Sequence, residues 1–118
     1  MLHLFLHFLI PLIVSVGFIK HLRVNFHINL TLKPPNWLKA WIIMLLTMLV
    51  DIDHLLATPI YQIDRCSIGF HPLHTILPIG FYLLLCFPKK TRVIGLGLII
   101  HMILDSIDCQ VNTGVWFV

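Results

Sequence analysis

The sequence contains little charge and no glutamate. Only 11% of the 118 residues are charged, whereas 58% are hydrophobic, and the mean hydropathy is +0.95. Because charged residues make up about a quarter of a typical soluble domain, this composition excludes most soluble folds. Membrane spans of about twenty residues with short connections would account for nearly the whole length, which leaves no room for a separate soluble catalytic domain. The composition therefore predicts an all-α membrane protein with a single integral membrane domain over residues 1–118.

Long apolar segments recur along the chain and predict a four-transmembrane-helix bundle. The expected spans cover approximately residues 3–19, 37–57, 71–87 and 91–108. Between the first two, apolar and polar residues alternate strictly over residues 22–33. This alternation predicts a short extended segment, which pairs with a second subunit of a homo-oligomer or lies at the membrane surface. Pro72 suits a helix start, and Gly95 and Gly97 permit close approach of neighbouring helices.

Basic residues are concentrated in two of the predicted connections. Seven of the eight Lys and Arg residues follow the first or the third span, namely Lys20, Arg23, Lys33, Lys39, Lys89, Lys90 and Arg92. By the positive-inside rule these connections face the cytoplasm, so both termini and residues 58–70 are expected on the outer side of a bacterial inner membrane. Because the basic residues flank apolar runs, we expect membrane lipids as partners and no nucleic acid.

Aspartate and histidine gather at one end of the predicted bundle. Four of the five Asp residues lie in two short motifs, Asp51-Ile52-Asp53 and Asp105-Ser106-Ile107-Asp108. Under the predicted topology, the outer ends of the spans hold ten Asp and His residues: His3, His7, Asp51, Asp53, His54, His71, His74, His101, Asp105 and Asp108. Within each span they are three or four residues apart, which places them on one helix face. The four faces are expected to turn toward a common axis.

This set of side chains predicts a metal site. A carboxylate inside a membrane span costs roughly 2.5–3.5 kcal/mol, so several close together need compensation by partners, water or a cation, and a divalent metal ion would supply it. Mixed imidazole and carboxylate ligands suit zinc, with manganese or iron as alternatives. The candidate metal ligands are Asp51, His54, His71, His74, His101 and Asp105. Asp53 and Asp108 are candidates for a general base or for residues that orient the ligands.

The remaining candidates are less specific. The ligand set exceeds the four that one tetrahedral zinc needs, which leaves room for two metal ions. His3 is expected to be an ordinary interfacial residue, and His7, about one turn further in, is a lesser candidate ligand. Cys66 and Cys109 both fall on the expected outer side, where an oxidising compartment permits a disulfide between them.

The motif order carries a resemblance to known membrane proteins. Asp51-Ile-Asp-His54 is followed by His71-Pro-Leu-His74 and then by His101 with Asp105 and Asp108. In these motifs, and most distinctively over residues 64–74, the chain resembles an uncharacterised family of small bacterial inner-membrane proteins. The order is also similar to that of predicted membrane-bound metal-dependent hydrolases. That similarity implies metal-dependent hydrolysis without specifying a substrate, and residues 22–33 resemble an insertion relative to the pattern.

Three functions remain open from the sequence. The first is a metal-dependent hydrolase of a lipid or lipid-linked ester at the outer leaflet. The second is a non-enzymatic metal or proton binder, such as a transport or sensor subunit, because intramembrane acids and histidines also serve ion pathways. The third is a structural membrane protein whose polar cluster holds the helices together through hydrogen bonds. Polar residues that stop at one end of the bundle favour a one-sided site over an ion pathway.

Overall fold

All regular secondary structure in the described part of the chain is helical. The structure is a computed structural model that describes residues 2–18, 36–60, 62 and 64–117. Over these residues it has four α-helices: α1 (Leu2–Phe18), α2 (Asn36–Leu46), α3 (Ile76–Leu85) and α4 (Arg92–Thr113). Two 3₁₀ segments accompany them, a long 3₁₀ helix (Thr47–Leu56) and a short 3₁₀ turn (Pro72–His74). The extended segment expected at residues 22–33 lies outside the described residues.

The second and third apolar segments are not continuous α-helices. After Leu46 the chain tightens into the long 3₁₀ helix, whose ten residues exceed the usual length of such segments. The third segment begins with Pro72 in the short 3₁₀ turn, and α3 starts only at Ile76. A 3₁₀ helix has three residues per turn, so residues three apart lie directly above one another. Asp51 and His54 therefore share a face, although not the face of an α-helix.

Helix α4 lies against every other helix of the described structure. It packs on α1, α2, α3 and the long 3₁₀ helix. As predicted, two glycines allow this close approach: a Cβ at Gly95 would lie 2.7 Å from the backbone N of Cys86, and one at Gly97 would lie 2.8 Å from Thr47 Oγ1. These contacts fix α4 against its neighbours and thereby place its His101 and Asp105 in the interior.

Two apolar clusters flank the polar interior. One contains Ala40, Met44 and Val93. The other contains Val50, Cys66, Ile68, Tyr82, Met102 and Cys109. A disulfide joins Cys66 to Cys109 and links the connection after the long 3₁₀ helix to α4. This cross-link, the pairing expected from the sequence, holds the wall of the site described below.

Polar side chains share the interior with these apolar clusters, while many large apolar side chains are exposed. The buried polar side chains are His7, Ser15, Thr47, Asp53, His71, His74, His101 and Asp105. Large apolar side chains are exposed on all four helices; on α3 they are Ile76, Leu77, Phe81, Leu83 and Leu84. Measured by length and apolar composition, α4 is the one described helix able to cross a membrane, while α1 and α3 are apolar but shorter.

Candidate metal centre

Four side chains from three segments converge on one point in the interior. Asp51 comes from the long 3₁₀ helix, His74 from the short 3₁₀ turn, and His101 and Asp105 from successive turns of α4. His74, His101 and Asp105 are each at most 3% exposed, whereas the side chain of Asp51 is 39% exposed. One ligand atom from each of the four residues lies within 4.8 Å of the other three. The group is therefore a compact set of ligands with Asp51 on its accessible side.

Five of the six pairwise distances among these four atoms lie close to the edges of a tetrahedral site. His74 Nε2 lies 3.4 Å from His101 Nε2, 3.4 Å from Asp51 Oδ1 and 3.1 Å from Asp105 Oδ2. His101 Nε2 lies 3.0 Å from Asp51 Oδ1 and 3.3 Å from Asp105 Oδ2. A tetrahedron with metal–ligand bonds of about 2.0–2.1 Å has edges of about 3.3–3.4 Å. The residues present therefore fit a four-coordinate zinc ion.

Asp53 contacts His74 at Nδ1, the ring nitrogen on the side away from the four-residue centre. Its Oδ2 accepts the backbone N–H of Leu73 at 2.8 Å and lies 3.2 Å from His74 Nδ1. Because an ionised carboxylate only accepts hydrogen bonds, His74 donates from Nδ1. In the neutral ring, Nε2 then carries the lone pair, and it points at the four-residue centre. A carboxylate behind a histidine in this way is the usual outer partner of a metal ligand.

Asp105 also faces a second group of histidines. Its Oδ1 lies 3.1 Å from His3 Nε2 and 3.4 Å from His7 Nε2. His7 is almost completely buried, and its Nδ1 donates to the backbone oxygen of His3 at 2.9 Å. His3 is 38% exposed, and its Nδ1 lies 3.6 Å from Asp108 Oδ1. The two oxygens of Asp105 thus contact two different sets of imidazoles.

A third group lies on the other side of His74. His54 Nδ1 is 3.2 Å from Asp53 Oδ1, and His54 Nε2 is 3.2 Å from Ser67 Oγ. The ring of His71 stacks on that of His54 with the ring centroids 3.8 Å apart. Asp53 therefore contacts two histidines and links this group to the four-residue centre.

A cavity of about 630 Å³ opens beside these groups. Its polar wall includes His3, Asp51, Asp105 and Asp108, and apolar side chains such as Leu104 complete the lining. At its rim the guanidinium of Arg65 donates to the backbone oxygens of residues 59 and 60, each at 2.7 Å. Arg65 therefore holds the connection that forms one wall of the cavity.

The structure divides the predicted site residues among these groups. Of the six candidate ligands, Asp51, His74, His101 and Asp105 come together, while His54 and His71 lie in the neighbouring group with Asp53. Asp53 takes an orienting position, and Asp108 lies half-exposed beside His3.

Sequence reasoning missed two features of this region. His3 was expected at the interface, but it contacts Asp105 because α1 packs on α4. Ser67, which was not singled out as a functional residue, contacts His54 from the connection that follows the long 3₁₀ helix. Spacing within one helix carries no signal for either contact.

The comparisons with known proteins identify a family and no function. No curated protein and no solved structure matches the chain. One family model, described as a family of unknown function, matches residues 1–112 and so includes every residue of the three groups above. The chain therefore belongs to the family of unknown function DUF6122.

Proposed function

We propose that this protein is a multi-pass protein of the bacterial inner membrane that binds a divalent metal ion, zinc in the first instance, through Asp51, His74, His101 and Asp105. We propose further that the ion serves the hydrolysis of a lipid or lipid-linked ester at the outer leaflet. The observation that carries the proposal is the convergence of four ligand atoms, three of them from buried residues, with five of their six pairwise distances between 3.0 and 3.4 Å.

Ion pairs with one ring protonated and a bound metal ion both fit these contacts, and the metal ion also relieves the approach of the two imidazoles. The two Nε2 atoms of His74 and His101 face each other at 3.4 Å. If both rings were protonated, two positively charged N–H groups would point at each other. If both were neutral with Nε2 unprotonated, two lone pairs would also face the oxygens of Asp51 and Asp105. A cation between the four atoms removes both conflicts, because all four then act as ligands.

The outward apolar surface supports placement in a membrane. Monomeric soluble proteins rarely expose contiguous apolar patches of more than a few hundred Å². Here the exposed fraction reaches 86% at Leu77 and 76% at Leu56, while two aspartates and four histidines of the described structure are buried. Lipid chains are the solvent that suits this arrangement. The basic connections of the sequence, which are expected on the cytoplasmic side, support an outer-face position for the metal centre.

The lining of the cavity suits a substrate with both polar and apolar parts. Its volume of about 630 Å³ is in the range of small-molecule sites. Polar residues of the centre form one wall, and apolar residues of α1 and α4, such as Leu4 and Ile107, form another. An ester carried on a lipid would present its polar group to the metal and its chain to the apolar wall. A bound zinc ion that adds a fifth ligand on the accessible side of Asp51 would act there as a Lewis acid on a carbonyl or phosphoryl oxygen.

The interior favours a one-sided site over an ion pathway. Away from the centre, the described buried polar side chains are Ser15 and Thr47. Each donates its hydroxyl to the backbone oxygen three residues earlier in the chain, at Leu12 and Met44 respectively. Hydroxyls that bond the local backbone in this way provide no series of ion-binding sites toward the other end of the helices.

The test is hydrolysis by untagged protein purified in detergent. The probes are a chromogenic acyl ester and a chromogenic phosphodiester, each presented in micelles with and without a chelator. We expect turnover that the chelator abolishes and zinc restores, that is lost in His101→Ala, and that is unchanged in Asp64→Asn, which alters an exposed aspartate. Bound zinc without turnover of either probe would refute the hydrolase and leave a metal-binding protein. Absence of bound zinc would refute the whole proposal.

A further inference from the structure

We propose that Asp105 bridges two metal ions, and that the second ion is held by His3 and His7 on the cavity side of the first. This inference rests on the proposed function, because it assigns Asp105 Oδ2 to the four-residue centre. It adds a separate binding site with its own ligands. The observation behind it is that the two oxygens of one buried carboxylate face two sets of imidazole nitrogens.

His7 is held in the form that a metal requires. Its Nδ1 donates to the backbone oxygen of His3 at 2.9 Å, because a carbonyl oxygen can only accept. In the neutral ring, Nε2 therefore carries a lone pair. That atom is buried, makes no hydrogen bond within the described structure, and lies 3.4 Å from Asp105 Oδ1. Two acceptors in contact in a buried site repel each other unless a proton or a metal ion lies between them, and the proposal assigns a metal ion to this position.

His74 and His7 are oriented in the same way on the two sides of Asp105. His74 and His7 each use Nδ1 for an outer partner, Asp53 in one case and a backbone oxygen in the other. Each then presents Nε2 to Asp105, and the two nitrogens approach different oxygens of that carboxylate. Outer partners of this kind fix the orientation of metal-binding histidines. Asp105 is thus placed between two prepared imidazoles.

The second site differs from the first in its openness. His3, His7 and Asp105 supply three ligand atoms, with His3 Nε2 at 3.1 Å from Asp105 Oδ1. His3 is 38% exposed and lines the cavity, as does Asp108, whose Oδ1 is 3.6 Å from the other ring nitrogen of His3. Zinc sites with three protein ligands keep a position for water or substrate, whereas four-ligand sites are closed. The second ion therefore has an open position toward the cavity, whereas the first ion, with four protein ligands, reaches substrate only by adding a fifth ligand on the accessible side of Asp51.

Metal counting on the full chain tests the inference. Detergent-purified protein without a histidine tag is equilibrated with zinc, desalted and measured by inductively coupled plasma mass spectrometry. We expect two zinc ions per chain in the wild type and in Asp64→Asn, and one in His3→Ala and in His7→Gln. His3→Ala is included because a half-exposed side chain can be removed with little risk to folding.

Different zinc contents overturn the second site and the proposed function. One zinc ion in the wild type that is retained in His3→Ala and lost in His101→Ala overturns the second site and leaves the first intact. No zinc in the wild type overturns the proposed function as well. Two ions that persist in both His3→Ala and His7→Gln also overturn the assignment, because the second ion would then have other ligands.

Cobalt(II) substitution tests the bridge itself. Two paramagnetic ions that share a carboxylate couple their spins, so the electron paramagnetic resonance signal per cobalt should fall as the second equivalent binds. In His3→Ala the signal should reach its full value at one equivalent and show no such loss. A wild-type signal that stays proportional to cobalt up to two equivalents would show that no ligand bridges the ions and would overturn the inference.

Discussion

Replacing Asp53 with asparagine removes a negative charge from behind His74 without changing the size of the side chain. In the structure, Asp53 Oδ2 is 3.2 Å from His74 Nδ1, and the carboxylate is only 3% exposed. The charge makes Nε2 of His74 a better electron donor and fixes the ring orientation. Loss of such an outer partner typically lowers metal affinity roughly 10- to 100-fold, which is about 1.4–2.7 kcal/mol. We expect the zinc affinity of Asp53→Asn to fall within this range.

The fold should survive this change. The asparagine carbonyl oxygen can still accept the Leu73 N–H, now made at 2.8 Å, so the short 3₁₀ turn keeps its link to the long 3₁₀ helix. The amide then faces Nδ1 of His54, which can accept if its proton moves to the nitrogen beside Ser67. The predicted loss is therefore one of affinity, with thermal stability in the absence of metal nearly unchanged.

Competition with a chromophoric zinc chelator measures the effect. Wild type, Asp53→Asn and the control Asp64→Asn are compared at one pH and ionic strength. If Asp53→Asn binds zinc as tightly as the wild type while His74→Ala does not bind it, Asp53 does not act through His74. That result would refute the claim that the Asp53 carboxylate raises the zinc affinity by orienting His74.

Two further predictions concern the packing and the disulfide around the centre. Gly97→Ala should destabilise the protein by roughly 1–3 kcal/mol, because the added Cβ has no room beside Thr47. Gly80→Ala is the control: nothing lies within 4 Å of its added Cβ, so it should be neutral or slightly stabilising, and equal melting temperatures of the two variants in detergent would contradict the prediction. Cys109→Ser should lower the free energy of unfolding by roughly 2–5 kcal/mol, because it removes the disulfide to Cys66, which spans a sequence separation of 43 residues. The matched change Cys86→Ser, at a free cysteine, should lower it less. An equal loss in the two variants would show that the disulfide does not stabilise the fold.

The sequence predicts much of the helical content and the chemistry of the centre. Long apolar segments separated by Pro-rich and basic connections indicate helices, and helices occupy most of the described part of those segments. The i, i+4 spacing of His101 and Asp105 places both on one face of α4, and the structure brings them to the same point. Helical periodicity is a local property, so it can be read without knowledge of packing.

The remaining features depend on local winding or on contacts between distant segments. A continuous apolar run does not distinguish an α-helix from the long 3₁₀ helix at Thr47–Leu56, because both bury and expose apolar side chains alike. The contact of His3 with Asp105 depends on how α1 packs against α4, and that of Ser67 with His54 depends on the path of a connection. No spacing rule within one segment contains this information.

The most direct test of the metal centre is the zinc content of wild-type protein and of Asp105→Asn, measured on untagged chains after equilibration with zinc and desalting. Asp105 contacts both sets of imidazoles, so its substitution should affect every ion bound there. We predict stoichiometric zinc in the wild type and loss of most of it in Asp105→Asn. A wild-type protein that binds no zinc, or an Asp105→Asn protein that retains its full complement, would contradict the account.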